Sequence, residues 1–434
     1  FNGGVIDPTA IHDFLKFTYT NWILPAPSFV LLVGDGNFDF KNFYLRNEKV
    51  YIPPFLAEVD PWILETASDN LYVTVSGDDI LPDMIIGRLP VTTEIETSAA
   101  VSKILSHYQN LSEDWVNKAL FVAGNNDPNA GDFASLSNVI INSYFEPRSI
   151  PVDTVYYMLT HTTGSSARLA VANAINNGRG LVHFSGHSNT SAWFGDPNVS
   201  NALDTILLDK PAVLALTNTD KYPIVLSMTC YTSYFIIPGV TTLDESLIRN
   251  AAKGAVATWS ATGKGVVTGH DLLDNGFFKA IYENGVSTLG QATNQAKYYL
   301  YANSSSYHEL IDTYILFGDP AMLYRDPPTP ETPINLHAQR NSSGVEVSWN
   351  TVSEVNISGF NLYRREIPGE FSKMNNGIIT TVSTGQPAGN SYSFQDTTAK
   401  SGTSYEYKLD VIESSLQVNI SLYTRLNNFA IMLP

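Results

Sequence analysis

The chain has 434 residues, too many for one ordinary core and enough for two or three domains. Its net charge of −17 argues against nucleic acid, which needs basic stripes to neutralise phosphates. No apolar run approaches the roughly 20 residues of a membrane helix, although 44% hydrophobic content is ample for packed globular units. The acidity suits basic substrates or Ca²⁺, or serves solubility alone. There is one cysteine, Cys230, so no disulfide can form within the chain and a cysteine-based zinc site is disfavoured. A lone thiol is either a buried small hydrophobe or a reactive group. Charged residues make up only 15%, and Asn, Ser, Thr and Tyr are abundant. Together with sequons at Asn110, Asn198 and Asn356, this composition predicts an extracellular or cell-surface protein.

Short apolar runs at 29–33, 119–123, 180–185, 224–229 and 254–259 have the length and continuous apolarity of strands buried on both faces. Helical patterns lie between them at 95–108, 243–250, 276–282 and 289–301, the first with Ile95, Ala99, Ile104 and Leu105 near one face. Strands alternating with helices predict an open, mostly parallel α/β sheet, whose ligands sit at the carboxyl ends of the strands. A helix-to-strand step near Trp115 divides this part into an N-terminal α/β subdomain, 1–112, and a second subdomain, 113–325. Pro327, Pro328, Pro330 and Pro333 then mark a stiff linker, 326–333. Beyond it, 334–434 alternates apolar and polar residues as strands do. Trp349 sits on an early strand, and Tyr405 and Tyr407 near a late one, where a tyrosine corner is expected. The segments Val347-Ser-Trp-Asn and Gly359-Phe-Asn-Leu-Tyr-Arg resemble a fibronectin type III module, an all-β immunoglobulin-like sandwich serving as spacer or binding platform.

Two stretches carry chemistry. In Leu181-Val-His-Phe-Ser-Gly-His187 a strand runs into Gly186, which permits a sharp turn and close approach, and delivers His187 to the sheet edge. His183, within the strand, is expected to be packed. In Tyr222-Pro-Ile-Val-Leu-Ser-Met-Thr-Cys230 a second buried strand delivers the thiol to its carboxyl end. A histidine able to take the thiol proton turns cysteine into a nucleophile, because the thiolate is the attacking species. Gly34-Asp-Gly36 opens no nucleotide-binding pattern.

This pair of strand ends resembles the caspase-like cysteine peptidases, the gingipain family in particular. Further likeness lies in Phe29-Val-Leu-Leu-Val-Gly-Asp35 and Asp69-Asn-Leu-Tyr72. It continues in Gly77-Asp-Asp-Ile-Leu-Pro-Asp83-Met-Ile-Ile-Gly87-Arg88, the helix 94–109, Gly254-Ala-Val-Ala-Thr-Trp-Ser-Ala-Thr-Gly263 and Leu316-Phe-Gly-Asp319-Pro320. An immunoglobulin-like domain directly after also fits. The resemblance implies a peptidase acting on protein or peptide substrates. Cys230 is its nucleophile and His187 its base, and the amides of Cys230 and of Gly186 or Ser188 form the oxyanion hole. It implies an acid that orients the histidine, for which Asp127 is the positional match, against a plain Asp-Pro turn and with Asp196 and Asp220 as rivals. Asp132 is the candidate for a pocket receiving a basic P1 side chain. Calcium is the implied cofactor, with Asp78, Asp79 and Asp83 as candidate ligands and Asp69 and Asp60 nearby, against a solvated turn. The family's usual His-Gly is here His187-Ser188, which matters if that position needs a glycine-only conformation. A sortase-like acyl transferase and an inert surface scaffold of the same fold remain the alternatives.

Overall fold

The computed structural model describes residues 3–23, 27–198, 202–324, 334–351, 354, 357–382, 389–413 and 418–426. The proline linker lies outside the described residues. The chain divides into two compact units. One comprises Phe1–Ala280 and Val286–Arg325, and the other contains Asp326–Pro434.

The first unit contains strands β1 (Phe29–Val33), β2 (Leu56–Asp60), β3 (Leu64–Ala67), β4 (Ile85–Leu89), β5 (Ala119–Ala123), β6 (Val152–Tyr156), β7 (Leu181–Ser185), β8 (His187–Asn189), β9 (Ala192–Phe194), β10 (Ile206–Asp209), β11 (Ile224–Met228), β12 (Ala257–Ala261) and β13 (Tyr314–Phe317). Its α-helices are α1 (Pro8–Asn21), α2 (Glu94–Gln109), α3 (Phe133–Ile140), α4 (Gly164–Asn177), α5 (Lys210–Ala215), α6 (Leu243–Arg249), α7 (Val267–Tyr282), α8 (Leu289–Asn303) and α9 (Glu309–Thr313). Eight strands form one sheet in the order β1-β4-β13-β12-β11-β7-β5-β6. Every pairing is parallel except β12 with β13. The sheet is therefore two parallel blocks running in opposite directions and joined at one antiparallel seam. The expected step near Trp115 separates β1 and β4 from the strands of the larger block, and β13, made late in the chain, completes the smaller one.

Strands β5, β7, β11 and β12 are buried at every position, as continuous apolar runs require. Alternation sends Leu120, Val122, Val182 and Phe184 to a core shared with Val171 and Ile175 of α4 and Leu247 of α6. Phe121 and His183 point the other way and stack on each other at 4.6 Å, with Phe278 of α7 at 6.4 Å from Phe121. Strand β1 departs from expectation. It is an edge strand, and Phe29, Leu31 and Val33 are about two-fifths exposed along one face. The apolar face expected of α2 holds only in part: Ile104 packs on the core, but Ile95 and Leu105 are exposed, while Ala100, Lys103 and His107 are buried. Lys103 is held there because its ammonium donates to the carbonyls of Leu247, Ile248 and Ala255 at 2.9, 2.8 and 3.2 Å.

In the second unit two antiparallel sheets share one core. One sheet holds β14 (Ile334–Asn341), β15 (Gly344–Asn350) and β19 (Ser391–Asp396). The other holds β16 (Ile357–Glu366), β17 (Ser372–Lys373), β18 (Ile379–Thr380), β20 (Tyr405–Glu413) and β21 (Val418–Leu426). Trp349 stacks on Tyr392 at 5.6 Å, and Tyr405 and Tyr407 are fully buried. The Tyr405 hydroxyl accepts the Lys400 amide at 3.0 Å, and the Tyr407 hydroxyl donates to Asp396 at 2.8 Å.

Near the seam of the first unit Arg88 of β4 is fully buried. It forks onto Asp69 through Nε and Nη2 at 2.9 and 2.7 Å, donates to the Gly34 carbonyl at 3.1 Å, and lies over the Phe235 ring. Removing one partner strands the other as an unpaired buried charge. Asp69→Ala should cost about 3–5 kcal/mol in a denaturant titration. A loss below 1 kcal/mol would show that Arg88 does not depend on this partner.

Candidate active site

Parallel neighbours β7 and β11 are in register from Leu181↔Ile224 to Ser185↔Met228. His187 and Cys230 each stand two residues past the paired ends, so the topology sets both on the same edge of the sheet. Adding a Cβ to Gly186 would bring it to 2.8 Å from the Phe184 ring and 3.2 Å from the Gly124 amide. Glycine is needed at 186 for close packing against the end of β5, and its φ is not in the left-handed region. Ser188 is likewise outside that region and continues as strand β8, so its side chain meets no conformational obstacle.

Asp127 sits in a tight turn in which the Asp127 and Gly131 amides and carbonyls pair reciprocally at 3.0 and 2.7 Å. The turn and the functional reading of Asp127 coexist. Its carboxylate accepts His187 Nε2 at 2.9 Å, the Asn129 amide at 2.8 Å and Asn198 Nδ2 at 3.3 Å. The Asn129 amide, assisted by His187 and Asn198, holds Asp127 below the usual carboxylate range. A carboxylate only accepts, so Nε2 carries the proton and Nδ1 is left as the basic nitrogen of the neutral ring. Phe133, at the start of α3, packs edge-on against the imidazole at 5.4 Å. A cavity of 230 Å³ opens beside it, lined by Asp127, His187 and Asp196 among others.

Cys230 Sγ lies against Gly265, accepting its amide at 3.5 Å and donating to its carbonyl at 3.7 Å. Burial pushes the thiol above its ordinary value, and the Gly265 amide and the Lys264 charge oppose that in part. Tyr231 immediately after it is left-handed, with φ of 61°, and donates its amide to the Gly263 carbonyl at 2.9 Å. The 263–265 loop is itself fastened by Asp60, whose carboxylate accepts the Lys264 amide at 2.5 Å and the Trp62 and Ile63 amides at 2.8 and 2.9 Å. Beneath, the buried Tyr314 hydroxyl donates to Ser227 O at 3.1 Å and accepts the Thr229 amide at 3.3 Å.

The remaining sequence candidates fall elsewhere. His183 is buried as expected and bonds Asp274 at 2.9 Å. Asp220 precedes β11, at the edge opposite Cys230, and accepts from Ser106 at 3.1 Å. Asp132 caps α3, both its oxygens being held by Ser135 at 3.0 and 2.7 Å. Three carboxylates of the acidic stretch have partners within the protein. Asp83 is committed to the Val75 and Ser76 amides, Asp79 to that of Leu81 and Asp69 to Arg88. Among the described residues no group of three or more His, Cys, Asp or Glu side chains is placed to hold a metal. The sequence reading missed Phe133 and Tyr314, and named Asp60 only beside the acidic stretch; their contacts cross long sequence separations. The repeated glycines at 263 and 265 were the one local sign of the loop beside the thiol.

The profile of Peptidase family C25 matches residues 1–325. Gingipain R1 of Porphyromonas gingivalis is 22% identical over 362 residues, covering 79% of this chain and 32% of its own length. Lys-gingipain of the same organism is 25% identical over 237 residues, covering 54% of this chain and 12% of its own length. The chain thus spans about a third of the length of Gingipain R1, and less of Lys-gingipain. The crystal structure of the Arg specific cysteine proteinase gingipain R superposes with a TM-score of 0.62 at 20% identity, over 96% of this chain and 87% of that one, a likeness of fold. Matched by the family across the whole α/β unit, with the caspase-like sheet that family has, the chain belongs to Peptidase family C25, the gingipain family.

Proposed function

We propose that the chain is a cysteine endopeptidase in which Cys230 attacks the peptide carbonyl and His187 handles the proton. The observation that carries this reading is the alignment of β7 and β11, which puts His187 and Cys230 on one edge while Asp127 fixes Nε2 of the imidazole. Burial pushes the thiol up, which favours His187 as a general base during attack over a preformed ion pair. Nδ1 takes the thiol proton as the C–S bond forms, and the carbonyl electrons move onto oxygen. The amides of Cys230 and of Gly186 or Ser188 are the donors for that oxyanion. As the tetrahedral species collapses, the imidazolium gives its proton to the leaving amine. Water, deprotonated by His187, then hydrolyses the thioester. Throughout, the ionised Asp127 stabilises the imidazolium.

A basic P1 residue fits the net acidity of the chain and the Asp196 carboxylate in the cavity beside His187. It also agrees with relatives named for Arg and Lys. The buried Trp349 and the Tyr405 corner support an immunoglobulin-like reading of the second unit as spacer or platform. An extracellular setting follows from composition. Among the described residues no helix is long and apolar enough to cross a membrane.

Against a fluorogenic peptide library varied at P1, cleavage should follow Arg or Lys and vanish in Cys230→Ala. Asp196→Asn should lower the preference for basic P1. Asp127→Asn should reduce kcat by on the order of 10²–10⁴ by releasing the imidazole tautomer. Cleavage that survives Cys230→Ala would end the proposal. In the free protein, iodoacetamide should alkylate Cys230 slowly at pH 7 and faster above the ordinary thiol range of about 8.5. Mass spectrometry across pH reads this directly, and a plateau already reached near pH 6 would show a preformed thiolate instead.

A further inference from the structure

Backbone pairing between β7 and β11 stops at Ser185 and Met228, yet both residues on which the proposed chemistry depends lie beyond that point. Two hydroxyls bridge the gap. Thr229 is fully buried, and its Oγ1 donates to the Gly186 carbonyl at 2.7 Å. Ser188 Oγ lies 2.7 Å from Thr229 Oγ1 and also donates to the Cys230 carbonyl. Each hydroxyl has one proton, so two separate bonds cross between the strands, Thr229 to the Gly186 carbonyl and Ser188 to the Cys230 carbonyl, with the two oxygens in contact. Each fixed carbonyl fixes the plane of its peptide, and so the direction of the N–H on the other side. On the histidine strand that N–H belongs to His187 itself. On the cysteine strand it belongs to Tyr231, which is locked onto the Gly263 carbonyl. Side-chain hydroxyls thus continue the strand ladder where the backbone ladder has ended.

We infer that Ser188 is a positioning residue, acting with Thr229 as a hydroxyl clasp that sets the separation of the His187 and Cys230 loops. The inference rests on the cysteine peptidase reading. It also accounts for serine where the family pattern has glycine: a side chain is tolerated in β8, and its hydroxyl ties down the neighbouring loop. Reaction geometry tolerates displacement poorly, and a misplacement of about 1 Å can cost on the order of 10²-fold. The two hydroxyls bond backbone carbonyls and not Cys230 Sγ or the His187 ring, so their loss should act on turnover through geometry and leave binding nearly alone.

The test compares the full chain with Ser188→Ala, Thr229→Val, the double variant and Ser188→Thr. Ser188→Ala should lower kcat on the order of tenfold, with KM within about twofold and the thermal midpoint nearly unmoved. Two residues that act as one clasp are not additive, so the double variant should lose no more than the worse single one. Ser188→Thr, which keeps the hydroxyl, should recover most of the turnover. Iodoacetamide alkylation of Cys230 provides a readout independent of any peptide. Freed from its seat against Gly265, the thiol should react severalfold faster in Ser188→Ala than in the parent. If no protein cleaves peptide but alkylation still responds in this pattern, the clasp stands and the peptidase reading falls. Unchanged kcat and unchanged alkylation in Ser188→Ala, or fully additive losses, would overturn the clasp.

Discussion

The antiparallel seam between β12 and β13 is the constraint on which the rest of the α/β unit depends. Without it the chain would hold two separate parallel sheets, each with a raw edge. With it, five strands present their carboxyl ends at one edge and three at the other. The seam also sets Tyr314 opposite Ala261, at the very start of β13. From there its hydroxyl holds the end of β11, one residue from the thiol-bearing position. The placement of the cysteine is thus inherited from a strand pairing formed by residues more than 80 positions away.

Buried charge gathers around the smaller block. Arg88 is satisfied by Asp69 and the Gly34 carbonyl. Arg249, at the end of α6, reaches Asp35 at 2.7 Å and Glu245 at 2.5 Å. Burial pushes the Glu245 carboxyl up, and the Arg249 charge beside it opposes that. Such pairs give little net stability against a well-packed apolar alternative, but each punishes misplacement of the element that carries it. Here they bind β4, the β1 end and α6 into one register. In the acidic stretch at 69–83, Asp69 takes a guanidinium, and Asp79 and Asp83 take turn amides.

Much of this was legible because apolar runs without alternation mean doubly buried strands. Runs at 119–123, 180–185 and 224–229 stood out for that reason, and with them the two strand ends carrying His187 and Cys230. The proline cluster separated the α/β part from the strand-rich one. Less legible were the elements whose burial is set by remote partners. Strand β1 carries the same apolar signature as β5, yet as an edge strand it shows one face to solvent. Helix α2 turns a lysine inward because the end of α6 offers it carbonyls, a pairing that no periodicity announces. At the site, the Asp-Pro turn and the imidazole partner are rival readings of Asp127, yet its backbone makes the turn while its carboxylate bonds the imidazole. Ser188 read as a departure, since sequence gives the missing glycine but not the conformation of the position.

The last strand of the α/β unit to leave the ribosome is β13, and its place is third of eight, between β4 and β12. Residues 29–33 and 85–89 must therefore wait, half-paired, until residue 317 has been made. The larger block can form earlier, since β5, β6, β7, β11 and β12 are contiguous in the sheet and complete by residue 261. But the hydroxyl under Thr229 is carried by Tyr314, so the seat of Cys230 is finished by the same late strand that closes the sheet. This order of assembly delays the completed seat of Cys230 until nearly the whole unit exists.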